Sequence, residues 1–146
     1  GANVEIREHV GAENFFLFGM TAEEVMARRE VAGHAAKAIA ADPRLARAVQ
    51  SLRDDTFAPD TPGLFAGIAD NISGPDYFVV SSDFSDYWRA QREIDAAFAD
   101  PMHWARMAAF NTARSGWFSS DRTIRGYMAD VWHAEIAQPM RELAAE

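Results

Sequence analysis

The sequence predicts a mainly α-helical domain of seven or eight helices with one or two short strands. Capping side chains stand directly before a proline at three places, and proline is favoured at the first position of a helix. Apolar residues then recur three and four positions apart. The 146 residues suffice for one domain with a core, and no repeat, low-complexity tract or linker divides them. We therefore expect a single domain over residues 1–146 with no internal boundary.

The helix starts are justified by capping chemistry, taken in chain order. Thr21 and Glu24 have the spacing of a capping box, in which each side chain accepts a hydrogen bond from the other residue's backbone N–H. The alanine-rich residues 32–41 predict another helical segment. The dipeptides that place a capping side chain before proline are Asp42-Pro43, Thr61-Pro62 and Asp100-Pro101. Asp83 and Asp121 mark two more starts.

Apolar side chains after each start lie on one helical face, because residues three and four apart are neighbours on a helix. The sets are Leu45, Val49 and Leu52; Leu64, Phe65, Ile68 and Ile72; Tyr87, Ile94 and Phe98; Trp104, Met107 and Ala108; and Ile124, Tyr127, Met128 and Val131. Because the aromatic residues fall mostly on these faces, we expect most of them to lie in the core.

Two segments predict strands. Residues 14–19, NFFLFG, form a continuous apolar run that is too short for a helix and typical of a buried strand. Residues 77–81, YFVVS, are a weaker candidate after the turn formed by Ser73-Gly74-Pro75-Asp76. A lone buried strand needs neighbours that this chain does not supply, which suggests that part of the fold lies elsewhere.

Composition excludes several classes of function. The net charge of −8 argues against a nucleic-acid partner, since phosphate backbones are bound by clustered Lys and Arg. The absence of cysteine excludes disulfides, thiolate zinc sites and cysteine nucleophiles. No apolar run reaches the roughly 20 residues that span a bilayer, and no signal-peptide pattern opens the chain. These features fit a cytoplasmic protein.

Titratable pairs offer candidate chemistry, each with a simpler structural interpretation. The His pairs Asp100–His103 and Asp130–His133 could support acid–base work, but solvated pairs on a helix surface are the favoured interpretation. The carboxylate pairs are Glu5 and Glu8, Glu23 and Glu24, Asp54 and Asp55, and Asp83 and Asp86. Most stand at helix starts, where negative charge is favoured by the helix dipole. No histidine spacing indicates a metal site.

Two further features could be catalytic. Lys37, the only lysine, is the one residue that could form a Schiff base, but its alanine-rich surroundings favour a surface helix. Ser119, Ser120, Asp121 and Arg122 could be a nucleophile with helpers or a phosphate pocket. A helix start capped by Ser119 or Ser120 is favoured, with Arg122 paired to a carboxylate.

Two segments resemble the α-glucan phosphorylases, the family of glycogen, starch and maltodextrin phosphorylases. Residues 1–25, GANVEIREHVGAENFFLFGMTAEEV, resemble the family's "DGANVEI" and "ENFFLFG" stretches in the same order. Residues 113–132, ARSGWFSSDRTIRGYMADVW, resemble its C-terminal signature, with Trp117 where a lysine is usual. The resemblance covers nearly the whole chain.

The resemblance implies a pyridoxal-phosphate enzyme of the GT-B type, with two Rossmann-like domains around the active site. Such enzymes are homodimers that cleave terminal α-1,4 glucosidic bonds with inorganic phosphate and release glucose 1-phosphate. Residues 1–146 would be the C-terminal part of the second domain. The family's Schiff-base lysine lies in a "TGNMK" motif upstream of "DGANVEI", so its cofactor would be bound outside this chain.

Carried over residue by residue, the family's catalytic motifs match no position here. The resemblance therefore implies no catalytic, cofactor-binding or metal-binding residue within residues 1–146. A first residue of Gly1 instead of methionine favours a fragment, expected to be inactive alone and to associate with the remaining phosphorylase chain or with itself. The alternative is a separately encoded helical interaction or regulatory module.

Overall fold

A computed structural model describes residues 2–135 and is mainly helical, as predicted. Eight α-helices lie in this range: α1 (Ala2–Val10), α2 (Ala22–Arg29), α3 (His34–Ala41), α4 (Pro43–Arg53), α5 (Ala66–Ser73), α6 (Val80–Phe98), α7 (Pro101–Arg114) and α8 (Ser120–Tyr127). Short 3₁₀ turns cover Ala12–Asn14 and Ser115–Phe118, and a π turn covers Met128–Trp132.

The chain divides into two compact units. The first, which we name the central unit, is Phe16–Asp100 and contains α2 to α6. The second, which we name the terminal unit, combines Gly1–Phe15 with Pro101–Glu146 and contains α1, α7 and α8.

The core of the central unit lies between α3, α4, α5 and α6. Leu45, Val49 and Ala69 form its buried centre, and Ala69 has no exposed surface. Partly buried side chains from the surrounding helices pack against them: Ile39, Leu52, Ile72 and Phe84. The spacing of Leu45 and Val49 on α4 is the predicted helical one, and it places both on the face toward α5.

In the terminal unit, polar side chains of α7 hold the end of α1 and the turn after it. Arg114 Nη1 donates to the carbonyl of Val10 at 2.9 Å, and Asn111 Nδ2 donates to the carbonyl of Asn14 at 2.9 Å. Asn14 is itself buried and donates to the same Val10 carbonyl. These bonds satisfy carbonyls at a helix end that have no partner within the helix.

The predicted helix starts at Thr21, Asp42 and Pro101 are confirmed. Thr21 and Glu24 form the capping box, with the Thr21 N–H donating to Glu24 Oε2 at 2.8 Å and the Glu24 N–H to Thr21 Oγ1 at 3.3 Å. Asp42 caps α4, where its Oδ1 accepts from the Arg44 N–H at 2.9 Å. Helix α7 begins at Pro101.

The long helix α6 begins three residues before the predicted start at Asp83. Its first N–H groups are bound by the side chain of Asp76, which is only 1% exposed. Asp76 Oδ1 accepts from the Val80 N–H and Oδ2 from the Ser81 N–H, both at 2.9 Å. The predicted turn before α6 therefore ends in a buried cap.

The predicted strands are not confirmed, since the described residues contain no strand. Residues 15–18 have no regular structure, because side chains of α6 bind the backbone of this segment in place of a neighbouring strand. The bonds are from Arg89 Nη2 to the Leu17 carbonyl (3.2 Å), from the Gly19 N–H to Asp86 Oδ2 (2.7 Å) and from the Met20 N–H to Asp83 Oδ1 (3.0 Å). The prediction for residues 77–81 is wrong, because Val80 and Ser81 open α6.

The predicted helix start at Thr61-Pro62 is also wrong. These residues lie in turns, and α5 begins at Ala66. Gly63 has φ of +78°, a left-handed conformation that cannot continue a right-handed helix. Its N–H donates to Asp55 Oδ1 at 2.7 Å, which fixes the turn.

Many aromatic side chains are exposed, contrary to the expectation that most lie in the core. Phe78 is 74% exposed and Phe57 64%. Others with large exposed fractions are Phe98, Tyr77, Tyr127, Trp132 and Trp117. Helical spacing places these residues on a shared face, but it does not decide whether that face is covered. Within residues 2–135, no helix is long and apolar enough to cross a membrane.

Candidate functional site

The Ser119–Arg122 stretch is a helix start. Ser119 Oγ accepts from the Arg122 N–H at 3.3 Å and caps α8, as one of the two serines was expected to do. The Arg122 guanidinium lies 3.4 Å above the Trp117 ring centroid, and Trp117 stacks on His9 at 4.5 Å. Arg122 makes no ion pair within the described residues, so its predicted carboxylate partner is wrong; a cation–π contact replaces it.

Asp83 and Asp86 serve the backbone of the central unit. Each accepts from one N–H of the Gly19–Met20 pair. Burial raises the pKa of Asp83, whereas the Arg89 guanidinium 2.7 Å away lowers the pKa of Asp86. Both carboxylates thus hold a segment that no sheet supports.

The remaining carboxylate pairs also bond locally or lie at the surface. Glu24 belongs to the capping box, and its bonds to Thr21 lower its pKa. Asp54 Oδ1 accepts from the Thr56 hydroxyl at 2.6 Å. Glu5, Glu8 and Glu23 are exposed side chains.

The two His pairs have different settings. Asp100 directly precedes α7, and His103 lies in its first turn. His133 has φ of +49° and lies beyond the π turn, with Nδ1 3.0 Å from the Ala129 carbonyl oxygen. Asp130 lies within the π turn and His133 just beyond it, so the two residues do not share a helix face as predicted. Among the described residues, no group of three or more His, Asp or Glu could hold a metal ion.

Lys37 lines a polar cavity of about 320 Å³, which we name the Lys37 cavity. Side chains from α2, α3 and α6 surround it: Arg28, His34, Lys37, Ala38, Ala41, Asp42, Ser81, Ser82 and Ser85. The alanine-rich sequence around Lys37 suggested an isolated surface lysine. The three serines are more than 40 residues from Lys37 in sequence, and the packing of α3 against α6 brings them to the cavity.

The negative charge in the Lys37 cavity is already paired. Asp42 Oδ2 lies 2.6 Å from Arg44 Nη2, and Ser85 Oγ donates to the same oxygen at 3.3 Å. The Arg44 guanidinium holds the pKa of Asp42 well below its usual range. Asp42 is therefore a carboxylate locked in an ion pair and a helix cap.

The Lys37 cavity does not fit pyridoxal phosphate. Lys37 is exposed, so it lacks the desolvation that lowers the pKa of a Schiff-base lysine in an apolar pocket. Ala38 and Ala41 are the apolar residues of its lining, so no aromatic ring covers the face of a pyridine ring.

Comparison with known proteins identifies the family. Residues 1–134 match the family model described as carbohydrate phosphorylase. The chain belongs to the carbohydrate phosphorylase family. A glycogen phosphorylase of Synechocystis sp. is 42% identical over 132 residues, covering 90% of this chain and 16% of that protein. The Vicia faba chloroplastic/amyloplastic α-1,4 glucan phosphorylase L isozyme is 41% identical over 138 residues, covering 92% and 14%. Human muscle glycogen phosphorylase is 38% identical over 135 residues, covering 92% and 16%.

The family match confirms the resemblance, because both segments that carried it lie within residues 1–134. This phosphorylase chain spans only 14% to 16% of the length of these relatives. Their names therefore describe proteins about six to seven times as long as this chain. Each residue role in this chain has to be argued from its own contacts.

An apolar cavity of about 450 Å³ lies on the central unit of this phosphorylase chain. It is lined by Phe18, Phe78, Val80, Asp83, Phe84 and Tyr87. Phe18 meets Tyr87 edge to face, with ring centroids 5.2 Å apart, and both side chains are at least 40% exposed. The cavity therefore leaves aromatic side chains of the central unit accessible.

Proposed function

We propose that this chain is the C-terminal part of the second Rossmann-like domain of a GT-B α-glucan phosphorylase and that it serves there as a structural element. The observation that carries the proposal is the family match over residues 1–134. The chain is about 40% identical to glycogen and α-glucan phosphorylases, and it spans only a small part of their length. On this proposal, residues 1–146 form one piece of a single domain, although two compact units are distinguishable within it.

The parent enzyme, on this proposal, is a cytoplasmic homodimer that cleaves terminal α-1,4 glucosidic bonds with inorganic phosphate. Pyridoxal phosphate would supply a phosphate group for proton transfer when bound to the lysine upstream of this chain. The residues described here would position the second domain and exclude water from its core. No catalytic, cofactor-binding or metal-binding role is assigned to them.

The local bonding of the polar candidates supports a structural role. Ser119 caps α8, Asp83 and Asp86 hold Gly19 and Met20, and Asp42 is paired with Arg44. A nucleophile or general acid must instead face a substrate with a free lone pair or proton.

The apolar cavity supports the inference that another part of the parent protein covers this surface. Since relatives are about six to seven times as long as this chain, we infer that the remainder of the phosphorylase chain covers Phe18, Phe78 and Tyr87. Covering these rings would stabilise the parent through the burial of apolar surface, worth roughly 25 cal/mol per Å².

The first test is an assay of the 146-residue chain with glycogen and inorganic phosphate. We expect no glucose 1-phosphate and no pyridoxal absorbance in the chain as purified. A full-length relative, such as the rabbit muscle form, is the positive control. Release of glucose 1-phosphate by this chain alone would contradict the proposal.

A chimera provides the matching gain-of-function test. Replacing the corresponding segment of the Synechocystis enzyme with residues 1–134 of this chain should preserve its phosphorolysis and its bound pyridoxal phosphate. A soluble chimera that keeps its cofactor but loses all activity would show that this segment contributes more than structure.

A further inference from the structure

We propose that the Lys37 cavity binds the phosphoryl group of inorganic phosphate or of a small phosphate monoester. The site lies within the central unit, between α2, α3 and α6. It is independent of the proposed phosphorolysis, whose phosphate would bind upstream of this chain.

The first support is a pair of cations without counter-charges. Arg28 and Lys37 both line the cavity, and neither side chain forms an ion pair or hydrogen bond within the described residues. Four other arginines of the central unit form ion pairs, among them Arg53 with Asp70 at 3.0 Å and Arg92 with Asp95 at 2.8 Å. Two unpaired cations that face one cavity are unusual in a chain of net charge −8.

The second support is a pair of buried polar atoms without partners. His34 is 7% exposed and lines the cavity, and its Nδ1 has no hydrogen-bond partner among the described residues. Ser82 Oγ lines the same cavity and has none either. Buried polar groups normally have a partner, because leaving one unsatisfied costs free energy. A phosphate has several acceptor oxygens and could serve both groups.

The carboxylate of the cavity does not prevent anion binding. Asp42 is neutralised by Arg44, which contacts both of its oxygens, at 3.0 Å and 2.6 Å. Ser85 also donates to Asp42, and Ser81 Oγ donates to the Ile72 carbonyl, so these two hydroxyls are already used. The groups left for a ligand are therefore two cations, one imidazole and one hydroxyl.

These groups favour phosphate over other anions. A guanidinium presents parallel N–H donors, an ammonium provides a compact charge, and a hydroxyl adds a neutral donor. Together they suit a tetrahedral anion better than a planar carboxylate. The volume of about 320 Å³ lies at the small end of ligand pockets, which suits a ligand no larger than a sugar phosphate.

The test is calorimetric titration of the 146-residue chain with inorganic phosphate and separately with glucose 6-phosphate. Glucose and sodium acetate at matched ionic strength are the controls. We expect both phosphates to bind and both controls to give no binding. Tighter binding of glucose 6-phosphate would identify an ester site, and equal or weaker binding would identify free phosphate as the ligand. The absence of phosphate binding would overturn the proposal.

Matched variants locate the site. Lys37→Gln and Arg28→Gln should each weaken phosphate binding by about tenfold, as the loss of one charge-assisted contact predicts. Arg47→Gln is the control, since Arg47 is also an exposed arginine of the central unit but lies outside the cavity. Equal affinities in all three variants and the unaltered chain would overturn the assignment.

Ser82→Ala separates a binding role from a structural one. Its hydroxyl has no partner to lose within the described residues, so the variant should unfold at the same temperature as the unaltered chain or a higher one. We expect it to weaken phosphate binding several-fold. Unchanged affinity in a folded Ser82→Ala chain would exclude this hydroxyl from the site and contradict the proposed ligand set.

The single lysine allows a direct footprint. Lys37 and the amino terminus carry the primary amines of this chain, and mass spectrometry distinguishes the two peptides after reaction with an amine-selective acylating reagent. Inorganic phosphate should slow acylation of Lys37 and leave the amino terminus unaffected. Equal rates at Lys37 with and without phosphate would overturn the proposal.

Discussion

At the scale of single residues, Gly19 shows how side chains of α6 fix the aromatic segment before α2. Its N–H donates to Asp86 Oδ2 at 2.7 Å, and its φ is +90°. A Cβ at this position would lie 2.7 Å from Asp83 Oδ2, closer than real Cβ contacts. The backbone conformation therefore favours glycine here, and a Cβ would also displace the Asp83 carboxylate.

Gly19→Ala should destabilise the chain by about 2 kcal/mol, because it combines a strained left-handed conformation with a displaced Asp83. The measurement is urea unfolding followed by far-UV circular dichroism. Gly67→Ala is the matched control: Gly67 lies in α5, a Cβ added there would meet nothing within 4 Å among the described residues, and alanine should stabilise that helix. Equal stability of Gly19→Ala and the unaltered chain would contradict the described geometry.

At the scale of helices, the polar stretch Ser119–Arg122 forms the start of helix α8. Helix α8 has eight residues, starts after Ser119 and ends in the π turn. The apolar side chains on either side of this start do not anchor it to a core, because Phe118 and Ile124 are 39% and 48% exposed. Its start therefore depends on the Ser119 cap and on the stacked contact between Arg122 and Trp117.

Ser119→Ala should lower the free energy of unfolding of the helix α8 region by about 1 kcal/mol, the usual cost of an N-cap. Ser120→Ala is the matched control, since Ser120 is the first helical residue and caps nothing. Amide hydrogen exchange over residues 120–127 measures the effect locally. If both variants exchange at the same rate, Ser119 is not the cap.

The helix starts that could be predicted from the sequence are those fixed by hydrogen bonds between residues close together in the chain. The Thr21 capping box and the Asp42 cap bond within three residues, so spacing alone reveals them. The predicted start at Thr61 failed because Gly63 adopts a left-handed conformation that its sequence permits without requiring. The predicted strand over 14–19 failed because its backbone is bound from residues more than 60 positions away.

The candidate site was predictable only in part, for the same reason. Lys37 stood out as the single lysine, but its cavity also needs Arg28 from α2 and serines from α6. Which cations lack a counter-charge depends on tertiary packing. Family membership, in contrast, followed from contiguous motifs and needed no structure.

At the scale of the whole molecule, paired carboxylates make stability depend on pH. The pKa of Asp42 is lowered by its bonds to Arg44, that of Asp86 by Arg89 and that of Glu24 by Thr21. A carboxylate whose pKa is lower in the folded state stabilises the fold above its unfolded pKa, near 4. That contribution is lost as pH falls through the folded pKa. Asp83 has the opposite effect on the pH dependence of stability, because burial raises its pKa.

We therefore expect stability to be nearly constant from about pH 7 to about pH 5 and to fall below about pH 4. It falls because more of these carboxylates have a lowered pKa than have a raised one, which only Asp83 has among them. Asp42→Asn should be less stable than the unaltered chain at neutral pH and lose less stability on acidification. Asparagine keeps the shape and the capping ability of aspartate, so the substitution removes chiefly the charge that Arg44 pairs.

The measurement is the urea midpoint at several values between pH 7 and pH 3, from which the slope of unfolding free energy against pH follows. Asp60→Asn is the control, because Asp60 is exposed and has no bonding partner within the described residues. It should leave the acid slope almost unchanged. If Asp42→Asn and Asp60→Asn lose stability as steeply as the unaltered chain, the Asp42–Arg44 pair does not contribute to its acid sensitivity.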